Sequence, residues 1–224
     1  MSPRNILKDQ QMRKERIEHI LNSALQTMAK RGIDSTNIKD IAKEAKLSVG
    51  NIYTYFTSKD EIFSEVLRRG QTMYGRTIAQ IADMDIDPRE KLFEISKGWL
   101  SNESNWAFTI MLQSIRTNQT VSTEIKQAAT QRFTDNLEPL AEIFRQGQEA
   151  GGIIQGDTRQ LAFYFVSLIQ GLTLQLAPGY EIQVDIDPKK IVRLFMEPET
   201  VVSTAGLFEG NNDLSYINKK MFDR

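Results

Sequence analysis

The segment from Thr36 to Phe63 reads TNIKDIAKEAKLSVGNIYTYFTSKDEIF. Thr36 and Ser48 can each accept a hydrogen bond from the backbone of the following turn, so each is expected to begin a short helix. Residues Ser58 to Glu61 have the spacing of a capping box, which begins a third helix. Two short helices, a tight turn and a capped helix are the pattern of a helix-turn-helix, whose second helix enters the major groove of DNA.

The remainder of the chain is also helical in its pattern. Apolar residues recur every three or four positions from Ile17 to Met28, and Gly32 is placed to end that helix. Two Asp-Pro pairs have the form of helix starts. We expect a long helix over 121–149 with a kink at Pro139. No run of alternating residues predicts a strand, so the predicted fold class is all-α.

Charge divides the chain into two parts. Residues 1–70 carry 13 Lys and Arg against 9 Asp and Glu, a net charge of +4. Residues 71–224 carry 15 against 20, a net charge of −5. A basic first third on an acidic remainder suits a small DNA-facing domain attached to a larger body.

Composition excludes several classes of protein. The chain has 224 residues, 40% of them hydrophobic, and no cysteine, so it has neither disulfides nor thiolate metal ligands. No apolar run approaches the roughly 20 residues of a membrane span. The charged N-terminus lacks the apolar core of a signal peptide. We therefore expect a cytoplasmic protein without a membrane partner.

The second helix of the motif carries the side chains expected at a DNA surface. Gly50 leaves room for a close approach of the backbone to DNA. Asn51 and Thr54 are short polar groups that can reach base edges. Tyr53 and Tyr55 can bond to phosphates or contact thymine methyl groups. Three further residues lie at helix starts, where free N–H groups favour phosphate: Thr36, Ser48 and Lys59.

One part of this segment resembles the N-terminal signature of the TetR (tetracycline repressor) family. It is the string Gly50-Asn51-Ile52-Tyr53-Thr54-Tyr55-Phe56, followed by Ser58-Lys59 and Ile62-Phe63. Gly32, Thr36 and the pair Ile41-Ala42 also fit the family pattern. The resemblance covers residues 15–65, and beyond them only an all-helical architecture matches. It implies a repressor that binds a palindromic operator as a homodimer and is released by a small ligand.

The resemblance also implies roles for individual residues. It places phosphate contacts at Thr36, Ser48, Tyr55 and Lys59, and base-edge contacts at Gly50, Asn51, Tyr53 and Thr54. Two positions depart from the family pattern. Lys46 stands where the family often has glycine in the turn, and we include it as a phosphate contact. Val49 stands where a polar or basic residue often reads a base, and we include it as a contact to a thymine methyl group.

The expected domain organisation follows from this resemblance. Residues 1–58 form a helix-turn-helix DNA-binding domain, residues 59–198 form a helical domain for effector binding and dimerisation, and residues 199–224 form a tail with a short helix over 216–222. The helix that begins after Ser58 is the fourth along the chain, and it links the two domains. We hypothesise that Gly70 and Gly75 ease its bending.

The large apolar residues of the second domain supply two further sets of candidates, and their abundance suggests a hydrophobic or amphipathic effector. The effector pocket is expected to be lined by Trp99, Trp106, Phe108, Met111, Gln113, Phe133, Asn136, Phe144, Tyr164 and Gln170. The dimer interface is expected at Leu161, Phe165, Leu168, Leu172, Ile191, Leu194 and Phe195. A plain hydrophobic core is the alternative explanation for both sets.

Other classes of function have less support in the sequence. His19 is the only histidine and lies on the charged face of the first helix, so the usual pairs of nucleophile and base are absent and no catalytic residue is proposed. Asp83, Asp85 and Asp87 have the spacing of a calcium loop, but Pro88 occupies the position that requires glycine. No metal or cofactor is expected. A helical protein–protein adaptor without DNA binding is the alternative that remains.

Overall fold

The computed structural model describes residues 6–102, 104–179 and 184–198. Within these ranges the chain forms ten helices: α1 Ile6–Arg31, α2 Ile38–Glu44, α3 Val49–Tyr53, α4 Lys59–Ala82, α5 Pro88–Leu100, α6 Asn105–Thr117, α7 Thr123–Asp135, α8 Leu137–Glu149, α9 Thr158–Leu174 and α10 Pro188–Arg193. The only extended pairing in the same ranges is an isolated bridge between Ile153 and Met196. The all-α prediction is confirmed.

The helix-turn-helix consists of α2, which packs on α1, and α3, which packs on α2. Its inner side chains are fully or almost fully buried, including Ile41 at 0% and Ile52 at 0% exposure. Ser48 begins α3, as predicted, and its hydroxyl accepts a hydrogen bond of 3.1 Å from the backbone N–H of Asn51. Lys46 makes the turn between the helices with a φ of 53°, a left-handed conformation that costs a non-glycine residue roughly 1–2 kcal/mol.

The predicted start of α2 was wrong by one residue. Asn37 caps this helix in a full capping box with Asp40, each side chain accepting a bond from the other residue's backbone N–H. Thr36 is instead 2% exposed, and its hydroxyl donates to the carbonyl of Gly32 at 2.8 Å. A buried hydroxyl that is already bonded cannot contact a phosphate, so Thr36 leaves the set of predicted DNA contacts.

Helix α4 connects the first three helices with the rest of the protein. Ser58 caps it by accepting from the backbone of Glu61 at 3.1 Å, whereas the carboxylate of Glu61 accepts from Thr57 rather than from Ser58. The helix has 24 residues, a length of about 36 Å. It packs on α1 near its beginning and on α5, α6, α7 and α8 along the rest of its length.

The long helix predicted over 121–149 is two helices. Asn136 ends α7 and begins α8, because the Pro139 ring has no N–H for a helical bond to the preceding turn. The Asn136 side chain donates to the carbonyl of Gln71 on α4 at 2.8 Å. A Cβ atom at Gly75 would lie 2.1 Å from Asn136 Oδ1, so Gly75 permits this close contact between helices.

The core of the larger part contains a cluster of three phenylalanines on α8, α9 and the segment after α10. The ring centroid of Phe165 lies 6.0 Å from that of Phe144 and 5.5 Å from that of Phe195. Lys91 is also buried here, at 4% exposure, with its ammonium group bonded to the carbonyl of Ala82 and to the side chain of Gln146. These contacts fix α5 against the ends of α4 and α8.

Four residues of the predicted dimer surface lie inside the protomer. Exposure is 8% for Leu161, 0% for Phe165, 5% for Ile191 and 7% for Phe195. They are part of the protomer's own core, and a partner cannot contact them without unfolding. Leu168 and Leu172 are half-buried, and Leu194 is 65% exposed. The error has a physical cause, because α9 is apolar on nearly every face and its periodicity does not identify the inward one.

None of the helices within residues 6–102, 104–179 and 184–198 has both the length and the apolar character needed to cross a membrane. The predicted tail over 199–224, with its short helix over 216–222, lies outside the described residues.

Candidate nucleic-acid interface and ligand cavity

Helix α3 presents an exposed polar face. Gly50, Tyr53 and Thr54 are exposed on it, with Tyr53 at 55%, and Lys46 and Ser48 are exposed just before it. The hydroxyl of Thr54 donates to the carbonyl of Gly50 at 3.1 Å and leaves its lone pairs available to an outside donor. Five of the ten predicted DNA contacts therefore lie together on one accessible surface.

Gly50 has no internal reason to be glycine. A Cβ atom built at this position meets no other atom within 4 Å, and the backbone is helical. Glycine within a helix costs roughly 0.5–1 kcal/mol relative to alanine. The structure thus gives no packing reason for glycine at this position, and the open space leaves room for a close approach from outside the protein.

Asn51 and Val49 are less accessible than predicted. The Oδ1 atom of Asn51 is buried and has no hydrogen-bond partner. Reading adenine with asparagine requires the amide oxygen and nitrogen together, so this side chain has to rotate before it can do so. Val49 is half-buried and packs against the core, which leaves only part of it for a thymine methyl group.

Tyr55 and Lys59 lie at the edge of this face and have partners within the protein. The guanidinium carbon of Arg13 on α1 is 5.1 Å from the centroid of the half-buried Tyr55 ring. The ammonium group of Lys59 donates to the carbonyl of Ile33 at 2.9 Å. Lys59 thus ties α4 to the loop after α1, and it keeps two donor positions for a phosphate.

The sequence analysis missed three basic residues at this surface. Arg13 is exposed and brings a charge beside Tyr55. Lys39 and Lys43 are exposed on α2, one helical turn apart. Since the first helix of a helix-turn-helix crosses the DNA backbone, both lysines are placed for phosphates. The i, i+4 spacing of Lys39 and Lys43 was visible in the sequence. The contact between Arg13 and Tyr55 could not be predicted from the sequence, because these residues are 42 positions apart.

Besides the bond from Lys59, further polar contacts connect the first three helices to the larger part of the protein. On α4, Arg69 forms an ion pair with Glu18 of α1 at 2.9 Å and donates to Asn22 at 2.8 Å. The carboxylate of Asp34, in the loop after α1, accepts from Thr120 at 2.5 Å and Asn118 at 3.0 Å. These two bonds, the one to Thr120 foremost, lower the pKa of Asp34 below its usual value.

An apolar cavity of about 500 Å³ lies between α1, α4, α5 and α6. This volume is within the range of small-molecule sites. The apolar wall consists of Leu21, Leu25, Val66, Met73, Tyr74, Ile78, Ile81, Ile95, Trp99 and Phe108. The polar lining consists of Asn22, Gln26, Arg69, Thr77, Glu94, Asn102, Ser104 and Asn105. The contribution of α1 means that an occupant contacts the helix on which α2 packs.

A smaller inner cavity of about 20 Å³ lies behind this one. Tyr74, Ile78, Trp99 and Phe108 line both cavities and form the wall between them. The indole N–H of Trp99 is buried without a hydrogen-bond partner, a state that costs about 1–3 kcal/mol. Burial also raises the pKa of the Tyr74 hydroxyl, which therefore stays protonated and can donate a hydrogen bond.

Gly70 provides a test of how this wall is packed. A Cβ atom at Gly70 would lie 2.2 Å from the Phe108 ring, whereas one at Gly98, across the same cavity, meets nothing within 4 Å. We expect Gly70→Ala to lower the free energy of unfolding by about 1–3 kcal/mol through overpacking. Gly98→Ala is the matched control and should raise it by roughly 0.5–1 kcal/mol. Urea unfolding measures both, and equal effects of the two substitutions would contradict the close contact.

Some of the predicted pocket residues line the two cavities, some line surface grooves elsewhere, and the others line neither. Trp99 and Phe108 line the main cavity, as expected, and Phe133, Asn136 and Gln170 line the inner one. Gln113 and Trp106 line two separate surface grooves. Met111 and Phe144, each at 0% exposure, belong to the packed core, and Tyr164 is 50% exposed on the outer side of α9. The last three were wrong, because helical spacing identifies an apolar face without showing whether a cavity or a neighbour lies beside it.

Side chains that bind metal ions do not cluster in the described part of the chain: no group of three or more His, Asp or Glu residues there can hold an ion. Asp83, Asp85 and Asp87 are exposed in the loop before α5, and the carboxylate of Asp87 caps that helix and pairs with Arg89. His19 is exposed, and its Nε2 donates to the carbonyl of Ala45 at 2.8 Å.

Comparison with known proteins gives the same assignment for the N-terminal part. Residues 20–66 match the family model described as bacterial regulatory proteins, tetR family. The HTH-type transcriptional regulator LuxR of Vibrio harveyi is 27% identical over 95 residues, which are 41% of this chain and 46% of LuxR. The fatty acid metabolism regulator protein of Bacillus subtilis is 25% identical over 146 residues, 64% of this chain and 73% of that protein.

Solved structures extend the likeness to the whole fold. AibR in complex with isovaleryl coenzyme A and operator DNA has a TM-score of 0.59 at 18% identity, over 80% of this chain and 94% of AibR. At this identity the likeness concerns the fold alone. The chain spans about half the length of several curated relatives that it matches. For LuxR, for example, the matched share is 46%.

Proposed function

Since this chain is a member of the TetR family of bacterial regulatory proteins, we propose that it is a transcriptional repressor that binds a palindromic operator as a homodimer and is released by a small amphipathic effector. The observation that supports DNA binding most directly is the face of α3. There an exposed glycine without a packing role lies among Tyr53, Thr54, Ser48 and Lys46. This face can approach base edges closely while the flanking cations contact phosphates.

The small size of α3 supports the proposal of a dimer. A helix of five residues makes few contacts, and a single copy bound mainly through phosphates would bind weakly at physiological salt. Two copies with recognition helices about 34–36 Å apart contact both half-sites on one face of the duplex. The proposed partner surface includes exposed apolar residues of α9, of the segment after it and of the end of α10: Phe163 at 42%, Tyr164 at 50%, Leu176 at 41% and Leu194 at 65%.

The cavity between α1, α4, α5 and α6 is the proposed effector site. Its wall is mainly apolar, with polar groups in part of its lining, which suits an amphipathic molecule. The fatty acid metabolism regulator and the AibR complex with isovaleryl coenzyme A support an acyl-type effector by analogy. An effector in this cavity contacts α1 and α4 together, and it can therefore change the position of α3 relative to the body.

The decisive experiment is selection of bound DNA from a random pool with the full chain. We expect enrichment of a palindrome whose half-site centres are separated by about one helical turn, 10–10.5 base pairs, or a multiple of it. A single enriched half-site would remove the homodimer from the proposal. No enrichment at all would favour a protein–protein adaptor, and a reporter gene behind the selected site would establish the sign of regulation.

Arg13 should contribute a phosphate contact through its position beside Tyr55. Arg13→Ala is expected to weaken binding to all DNA sequences alike and to reduce the slope of log affinity against log salt by about 0.9. Fluorescence anisotropy at several salt concentrations measures this slope. Arg145→Ala, which removes an exposed arginine from α8, is the control and should leave the slope unchanged. An unaltered slope in Arg13→Ala would exclude the contact.

A further inference from the structure

The shape of the cavity limits what it can hold. Its lining residues on α4 run from Val66 to Ile81, a distance of about 22 Å at a rise of about 1.5 Å per residue. An apolar wall that extends this far along one helix suits an extended aliphatic chain.

The charges of the lining indicate the head group. Only two of the described lining residues are ionised, Arg69 and Glu94. The Arg69 side chain is the more enclosed, at 27% exposure, whereas that of Glu94 is 44% exposed and lies beside Lys97 at 3.6 Å. The neutral donors Asn22 and Gln26 line the cavity on the α1 side together with Arg69. A carboxylate suits this end, because the planar guanidinium can bond to both of its oxygens.

The present partners of Arg69 can be displaced. Glu18 is 43% exposed, and an ion pair in that position contributes little to stability because water solvates the carboxylate well when the pair opens. A carboxylate held in the cavity by an apolar chain binds Arg69 with less competition from water. The bonds from Arg69 to Glu18 and Asn22 are also a direct polar connection between α1 and α4. Losing them changes how the DNA-binding helices are held.

We propose that the cavity binds a single-chain amphiphile with a terminal carboxylate, and that this carboxylate takes Arg69 away from Glu18 and Asn22 of α1. The chain of the ligand lies along the apolar residues of α4 that line the cavity. The ligand class rests on the cavity alone, whereas its effect on DNA rests on the function proposed above.

Calorimetric titration of the full chain tests the ligand class without DNA. The probes are decanoate, 1-decanol and decyltrimethylammonium, each below its micelle concentration. Decanoate should bind about tenfold to hundredfold more tightly than decanol, the range expected for a charge-assisted hydrogen bond. Arg69→Gln should remove this difference, and helical circular dichroism at the wild-type value would show that the variant is folded. Arg68→Gln changes the neighbouring arginine, which pairs with Glu65 and does not line the cavity, and should keep the difference.

Two further variants separate a binding role of Arg69 from a purely structural one. Glu18→Gln removes the competing carboxylate and should tighten decanoate binding severalfold, which loss of a structural ion pair alone would not do. Glu142→Gln removes an exposed carboxylate of α8 that does not line the cavity and should leave decanoate binding unchanged. Four results would each overturn the proposed ligand class. They are equal affinity for decanoate and decanol, a tighter binding of decanoate that survives Arg69→Gln, tightest binding of the ammonium probe, and binding of no probe.

Operator release is measured separately, with the DNA sequence obtained by selection. Decanoate should weaken operator binding by the wild-type chain and not by Arg69→Gln. If decanoate binds through Arg69 and operator affinity stays the same, the ligand class stands and its regulatory role is wrong. If no operator is found while decanoate binds as described, the failure lies in the proposed function and not in the assignment of the cavity.

Discussion

Replacing Gly50 with glutamate should weaken operator binding more than a hundredfold while making the free protein slightly more stable. The carboxylate would enter the interface beside the phosphates, and unfavourable like charges across an interface cost several kcal/mol. In the free protein the new side chain meets no other atom near its Cβ and replaces a helical glycine. It also lies in the first turn of α3, where a negative charge is favourable. The free energy of unfolding should therefore rise by roughly 0.5–1 kcal/mol.

Anisotropy with operator DNA and urea unfolding measure the two effects of Gly50→Glu independently. Ala128→Glu adds the same charge to an exposed position on α7 and should change operator affinity little. Gly50→Ala should give an intermediate loss of affinity with a similar gain in stability. If Gly50→Glu bound the operator as the wild type does, α3 would not be the helix that enters the groove.

Replacing Phe165 with alanine should lower the free energy of unfolding by about 3–5 kcal/mol. The side chain is fully buried and packs edge-on against Phe144 and Phe195, so its removal leaves a cavity and ends two aromatic contacts. A domain is commonly stable by only about 5–15 kcal/mol, and the variant should lose much of its helical circular dichroism near physiological temperature.

Tyr164→Ala is the matched control for Phe165→Ala, since it removes an aromatic side chain from the next position of the same helix. Tyr164 is 50% exposed, and its loss should change the stability of the protomer by less than about 1 kcal/mol. Sedimentation of this variant would in addition test the proposed dimer surface. Similar destabilisation by both substitutions would mean that α9 is oriented differently from the structure described above.

The helix-turn-helix was readable from the sequence because its determinants are local. Ser48 and Ser58 cap the helices that they were predicted to begin, each through a bond to a backbone N–H three residues later. The error at α2, Thr36 for Asn37, came from two adjacent residues that are both good caps. Sequence reasoning could not show that Thr36 is buried, since burial depends on tertiary packing.

Fewer of the residues that line the cavity could be predicted from the sequence, because these residues lie far apart along the chain. Trp99 and Phe108 were identified as large apolar residues near polar ones, and both line the cavity. Leu21, Asn22 and Arg69 were not identified, although they form one end of it. Leu21 and Phe108 are 87 positions apart, and only the packing of α1 against α4 and α6 places them around one space.

The sequence by itself determined the all-α class and most of the helix starts, and it predicted the exposed polar face of α3. These features depend on caps, on Pro and Gly placement and on periodicity, all of which act over one or two helical turns. Only the tertiary structure decided which face of α9 is buried, that Gly70 and Gly75 permit close contacts, and that Arg69 joins α1 to α4 beside a cavity. Those features depend on how helices far apart in the chain pack against one another, and a nearly uniform apolar helix such as α9 carries no local signal of its neighbours.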